Sequence, residues 1–377
     1  YTVGRFRVTC KVNGENIYRS PFDVLVEPNE VHSPACYPVG SGVDYAEAGK
    51  PGVLYVQACD KLGNKQCRGG AVFVVKAELQ GHEDLDIASL GGAEAITLGT
   101  VVDNNDGTYL IACPMAVAGE QLLSVMHAGD HVRGSPFTVV NHPSVPSGPH
   151  SVMDGFGARE AFAGQEAIFT VLPKDRFRNL IRSATPAGPG PKGVAAQPGN
   201  KHRDHPDMDG SNLYVYLTGP TNIHGLVEKD RTGAGTFTVS YKPHIAGAYS
   251  QHVLLNGLPV SGSPYETMVH PARAIPDGTS SVASGRGLQL ANTGTEATFT
   301  ISAKDQFGNM METGGSSFEV IQTKGNNEQL VLPVEQVTDR RNGTYVVRYT
   351  PRHAGIMQME VKCREKAIVS SPFTVTV

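Results

Sequence analysis

His202, Asp204, His205, Asp207 and Asp209 place five ligand-type side chains within eight residues. Such donors hold a divalent ion only when a rigid frame and hydrogen-bonded supporting groups fix them. Here they sit in Ser183–Gly210, a run rich in Pro, Gly, Ala and charge with neither helical nor strand periodicity. A solvated loop is the expectation, with no metal site. Asp103-Asn104-Asn105-Asp106-Gly107 opens like a calcium loop, but such a loop needs Gly at its sixth position, where Thr108 stands. Asn, Asp and Gly tolerate the backbone of tight turns, so this stretch reads as a hairpin turn.

Three Gly-x-Gly elements end at Gly42, Gly157 and Gly287. A dinucleotide loop would need a third glycine and a helix opening after a strand, and none of the three has them. No Ser/His/Asp or Cys/His set shares a framework, and His142, His150 and His270 fall in loops and linkers. The expectation is therefore no enzyme, no cofactor and no catalytic residue. Net charge is −4, which argues against a protein dominated by nucleic-acid or anionic-membrane binding. No apolar run approaches the roughly 20 residues that span a bilayer. Tyr1 is not a natural start, so the segment reads as internal to a longer protein.

The six cysteines leave two readings open. Cys10, Cys113 and Cys363 fall at inward-facing positions, where a lone Cys behaves as a small hydrophobe. Cys59 and Cys67 flank Asp60–Asn64 and would pair across it if their Cα atoms come within about 7 Å. Cys36 has no obvious partner. One or two scattered Cys per repeat do not make a disulfide framework, which favours a reducing compartment. Asn342-Gly343-Thr344 is a glycosylation sequon that matters only in a secreted protein.

The elements that carry these residues repeat. Ser-Pro-Phe occurs at 20–22, 135–137 and 371–373, with Ser-Pro-Tyr at 263–265. Sixteen residues before each Ser lie Gly4, Gly119, Gly247 and Gly355. Twenty-eight before the last three lie Gly107, Gly235 and Gly343, each followed by Thr and an aromatic. Upstream stand Asp60…Asn64, Asp175…Asn179 and Asp305…Asn309, each Asp eighteen residues after the second Gly of a Gly-x-Gly. Length varies only between the Asp and Gly-Thr anchors, so insertable loops cluster in the middle of each repeat.

Between anchors every second residue is apolar, as in Tyr345, Val347, Tyr349 and in Phe373, Val375, Val377. Short Val/Ile/Thr/aromatic runs separated by Gly and Pro, about seven per repeat, describe tandem immunoglobulin-like antiparallel β-sandwiches. Expected boundaries are the end of one repeat at 1–26 and full repeats at 27–141, 142–270 (insertion about 183–210) and 271–377. Linkers are 27–34, 141–150 and 270–281. Each Ser-Pro-aromatic closes a domain, its Pro marking an edge or kink and its aromatic expected to turn inward as a core anchor. Lack of Trp and of a two-Cys pattern per repeat separates these from antibody-like domains.

The last repeat, with Gly285-Arg286-Gly287, DQFGN, GGSSF, RNGTY, RYTPRHAG and SSPFTVTV, resembles the filamin-type (filamin/ABP280 rod) repeat, as does the second with DKLGN, GGAVF, NNDGTY and RGSPFTVV. The third departs most, with DRFRN, AGTF and SPY. The resemblance implies a non-enzymatic scaffold rod in a cytoskeletal assembly, an actin network or a ciliary axoneme. It implies protein partners that add a strand at an exposed sheet edge. In the last repeat that edge is Ser317–Thr323 with Gln329–Val334, and Phe318, Val320 and Gln322 are the candidate contacts; the plain alternative for Phe318 and Val320 is core. Another reading is an extracellular adhesion or recognition protein, for example on gametes, using Asn342 and a Cys59–Cys67 bridge. An accessory segment of an enzyme whose catalytic domain lies elsewhere also stays open.

Overall fold

The computed structural model describes residues 2–39, 45–81, 96–181, 212–230, 235–273, 276–324, 329–331 and 336–377. The His202–Asp209 cluster and the Gly40-Ser41-Gly42 element lie outside these residues. The chain divides into two compact units: Tyr1–Ser151 with Pro173–Ile181, and Val152–Leu172 with Arg182–Val377.

The first unit opens with an antiparallel pair, Gly4–Val8 against Phe22–Val26. Phe6, Val8, Cys10 and Val24 are exposed on it, so the inward position expected for Cys10 is not realised among the described residues. A full sandwich follows. One sheet runs Thr100–Asp103, Thr108–Pro114, Pro51–Gln57, Tyr37–Val39. The other runs Tyr45–Glu47, Phe137–His142, Gly119–His127, Phe73–Leu79, Ile96–Leu98. Pairing is antiparallel except where Tyr45–Glu47 runs parallel to Phe137–His142. Alternate residues turn inward, as the period of two requires: Leu54, Val56, Phe73, Val75, Tyr109, Ile111 and Val125 form the core.

The second unit holds two more sandwiches of the same plan. The first has Val152–Asp154, Ala167–Leu172, Phe237–Tyr241 and Leu226–Lys229 in one sheet, and Leu213–Thr218, Gly247–Leu255 and Tyr265–His270 central to the other. The second has Val282–Ser284, Ala297–Ser302, Thr344–Tyr349 and Val337–Asp339 facing Gln329–Val331, Phe318–Lys324, Ile356–Cys363 and Phe373–Thr376. Phe169, Val239 and Val253 centre one core, and Phe299, Val347 and Met359 the other.

The two described Gly-x-Gly elements serve packing. Gly157 and Gly287 lie in short 3-10 turns, and a Cβ on either would press the backbone of Ile168 or Thr298. Their carbonyls accept the buried hydroxyls of Tyr241 (2.7 Å) and Tyr349. Burial pushes both phenols up, Tyr349 to about 12.

The recurring Ser-Pro-aromatic has a different cause from the one its pattern suggests. All four Ser–Pro bonds are cis. Each Ser hydroxyl accepts the N–H of the residue ten before it: Cys10, Val125, Val253 and Val361, at 2.8–2.9 Å. The serine oxygen thus gives that strand N–H an acceptor where the chain turns into the last strand. In the three full sandwiches the aromatics Phe137, Tyr265 and Phe373 are half-buried, and Phe137 and Phe373 pack against their cores from that position. The buried anchors are Val132, Val260 and Ile368, three residues before the Ser.

Candidate protein-interaction surfaces

The strand Phe73–Leu79 has a full partner, Gly119–His127, on one side only. On its other side Ile96–Leu98 pairs with residues 76–78, and Gly99 donates to the Val75 carbonyl at 2.9 Å. Residues 73–75 therefore border a sheet edge with no partner strand among the described residues. A groove of about 480 Å³ runs along this edge, lined by Ala71–Val75, Leu98, Gly99, Val101, Asp103 and Tyr109. Phe73 and Val75 form its buried floor, while Val72, Val74 and Leu98 are exposed beside it.

Two polar contacts hold the groove wall in place. Asp103 accepts the Gly70 N–H at 2.7 Å, and the Tyr109 hydroxyl accepts the Ala71 N–H at 2.9 Å. Burial raises the Tyr109 phenol, so it is neutral at physiological pH. The Phe73 and Tyr109 rings pack at 4.7 Å.

The last repeat carries the same frame. Asp339 accepts Gly315 N–H at 2.7 Å, Tyr345 accepts Ser316 N–H at 3.0 Å, and Phe318 packs on Tyr345 at 4.8 Å. Gln329–Val331 covers residues 321–323 of Phe318–Lys324, leaving 318–320 without a partner strand there among the described residues. The side chains of Phe318 and Val320 point into the core, and Gln322 is buried. Of the expected contacts, then, Phe318 and Val320 present backbone rather than side chain to that edge. The Asp/Tyr frame was not read from the sequence; its signal was the repeat of Asp103/Asp339 and Tyr109/Tyr345 around the hairpin turn.

The Cys59–Cys67 bridge is not formed: both thiols are free, Cys59 buried and Cys67 exposed. Cys59 lies instead against Cys36, whose Sγ accepts the Cys59 N–H at 3.4 Å. Burial pushes the Cys36, Cys59, Cys113 and Cys363 thiols up. Asn342 is exposed, with its Oδ1 accepting the Thr344 N–H at 3.1 Å. Among the described residues no three His, Cys, Asp or Glu converge as metal ligands.

A second kind of surface is built from the Asp…Asn anchors. Asp305 is fully buried; its Oδ1 accepts the N–H groups of Phe307 and Asn309, and its Oδ2 accepts Asn309 Nδ2 and the linker N–H of Ala272, all at 2.8–2.9 Å. Asn309, so held, donates from Nδ2 to the His244 carbonyl and accepts the Ala246 N–H at Oδ1, both at 2.8 Å. Phe307 lies against the His244 ring at 4.9 Å and over Gly164. Beside it His270 bonds Glu312 at 2.9 Å and stacks on Phe162, and Arg273 sits 3.8 Å over the same ring. Within the first unit the pattern recurs: Asp175 accepts Ser144 N–H, Asn179 bonds the Ala116 carbonyl and the Ala118 N–H, and Phe177 covers Gly49. The anchors' spacing was legible in the sequence, but not that the Asn amide binds the loop before Gly119 or Gly247.

A model of the Filamin/ABP280 repeat matches residues 30–138, 146–266 and 275–374. The chain belongs to the filamin repeat family. It is 26% identical over 278 residues to filamin-C of Mus musculus, covering 73% of this chain and 9% of that protein. With filamin-A of Drosophila melanogaster it shares 25% over 376 residues, 100% of this chain and 14% of that protein. Among solved structures it is similar to the Escherichia coli adhesin FdeC, at 16% identity and TM-score 0.48, covering 93% of this chain and 99% of that one. The chain thus spans a small part of the filamins it matches. Filamin repeats are protein-interaction modules built into structural rods, and here three of them follow one another, each with its own core.

Proposed function

We propose that this chain is a non-enzymatic scaffold segment whose repeats capture extended segments of partner proteins as added strands, in a cytoskeletal assembly such as an actin network or a ciliary axoneme. The carrying observation is the groove along Phe73–Val75, where a sheet edge with no partner strand among the described residues lies beside exposed Val72, Val74 and Leu98. An incoming strand would take ladder hydrogen bonds from the edge and place alternate apolar side chains over Phe73 and Val75. The corresponding edge of the last repeat, residues 318–320 and Gln322, is the second docking place. Membership of the filamin family supports the cytoskeletal setting.

The test is a titration of isotopically labelled protein with a synthetic nine-residue peptide of alternating Val and Ser. Amide shifts at residues 71–76 and 98–101 support the reading when Val74→Lys with Leu98→Lys abolishes them. Shifts scattered over other surfaces, or shifts that survive the double variant, would sink it. A cell-surface setting is the second reading, favoured by the exposure of Asn342. Peptide mass mapping of the natural protein decides it: a glycan on Asn342 moves the rod outside the cell, and an unmodified Asn342 with free Cys59 and Cys67 keeps it inside.

A further inference from the structure

The loop that receives an Asn side chain occurs three times with one backbone geometry. Gly119, Gly247 and Gly355 end it with φ of 139°, 141° and 129°. Beside it Gly49, Gly164 and Gly294 adopt φ of 78°, 76° and 74°. Their N–H groups donate to the carbonyls of Met115, Pro243 and Pro351 at 3.0, 2.7 and 2.8 Å. Two of the three sites are covered. Asn179 bonds Ala116 and Ala118 while Phe177 covers Gly49; Asn309 bonds His244 and Ala246 while Phe307 covers Gly164. The third, at Pro351–Gly355, is open. Arg352, His353, Ala354 and Gly355 are exposed, whereas Ala118, Gly119, Ala246 and Gly247 are half-buried. Among the described residues nothing lies within 4 Å of the Cβ position of Gly294.

We propose that Pro351–Gly355 with Gly294 is a docking socket for the Asp-x-Phe-x-Asn loop of a further filamin-type repeat. The recognition chemistry is defined by the two occupied sites. An Asn amide, aligned by a buried Asp, reaches the Arg352 carbonyl and the Ala354 N–H and satisfies both, as a short piece of backbone would. A Phe two residues earlier lies on Gly294, where glycine alone leaves room for the ring. The Asp takes the N–H of the linker, so linker, loop and socket order together. The inference stands apart from strand capture at the grooves: it concerns how one repeat seats on the next, and uses none of the groove residues.

The test extends the whole chain by appending a second copy of residues 270–377 after Val377 and reads amide hydrogen exchange residue by residue. Ala118 and Ala246 are internal references. In the unextended chain the Ala354 amide should exchange freely while both references are protected. In the extended chain Ala354 should slow by at least about tenfold, as an amide newly closed by a hydrogen bond does. A second extended chain carries Asn309→Ala in the appended copy alone. Ala354 should then return to fast exchange while the appended Val347 amide stays protected, which separates lost docking from lost folding. Fast exchange at Ala354 above a folded, unsubstituted appended repeat overturns the proposal. So does concentration-dependent protection of Ala354 in the unextended chain, which would make a second copy of this chain the occupant.

Discussion

The ring of Phe307 fills the space that a Cβ on Gly164 would need. Gly294 has nearly the same backbone, φ 74° against 76°, and nothing above it among the described residues. An alanine at either position meets the same left-handed strain, roughly 1–2 kcal/mol. Only at Gly164 does it also overpack against an aromatic ring, which adds roughly 1–3 kcal/mol. Gly164→Ala should therefore destabilise more than Gly294→Ala in denaturant unfolding. Equal losses would show that Phe307 yields at no cost.

Asn309 joins three partners through one amide, and its neighbour is the buried carboxylate of Asp305. Asn309→Ala leaves the His244 carbonyl and the Ala246 N–H without their partner, a loss of roughly 1–3 kcal/mol. Asn309→Asp should cost more at neutral pH, because it removes the donor and sets two carboxylates side by side. Its deficit should shrink as pH falls into the carboxylate range, where one of the two carboxyls takes up a proton. Chemical unfolding of both variants at pH 4 and pH 7 checks the order and the trend.

Tyr241 and Tyr349 hold their protons more tightly folded than unfolded, because burial disfavours the phenolate. A tyrosine in the unfolded chain ionises near 10, as an unperturbed phenol does, and Tyr349 in the fold near about 12. Above pH 10 the folded state binds more protons, so its stability, complete below that pH, falls as pH rises toward 12. Tyr349→Phe should lower stability at pH 7 by about 1 kcal/mol through loss of the bond to Gly287. It should also flatten the alkaline decline. An unchanged slope between pH 9 and 11 would contradict this.

Cys10 and Cys67 are exposed, while Cys36, Cys59, Cys113 and Cys363 are buried with thiols pushed up. Attack requires an accessible thiolate. Iodoacetamide at pH 8 should label Cys10 and Cys67 in the native protein and the other four only in denaturant. Rapid native labelling of Cys59 would mean that the Asp60–Asn64 loop opens.

The tandem sandwich was legible because a strand with one buried face writes a period of two into the chain, and fixed loops keep anchors at fixed distances. Tyr345, Val347 and Tyr349 read as one inward face, and all three are buried. The Ser-Pro-aromatic was legible as a closing signal but not as a mechanism. Its pattern drew attention to the aromatic, whereas the serine hydroxyl and the apolar residue before it hold the strand.

Sequence alone determined the three full repeats and their inward strand faces, because each depends on residues close together in the chain. Tertiary structure alone decided what the anchors touch. Asn309 reaches His244 and Ala246, more than 60 residues away, and Cys59 lies against Cys36 rather than Cys67. Such partners are set by how loops converge in space, and no local period or spacing encodes that convergence.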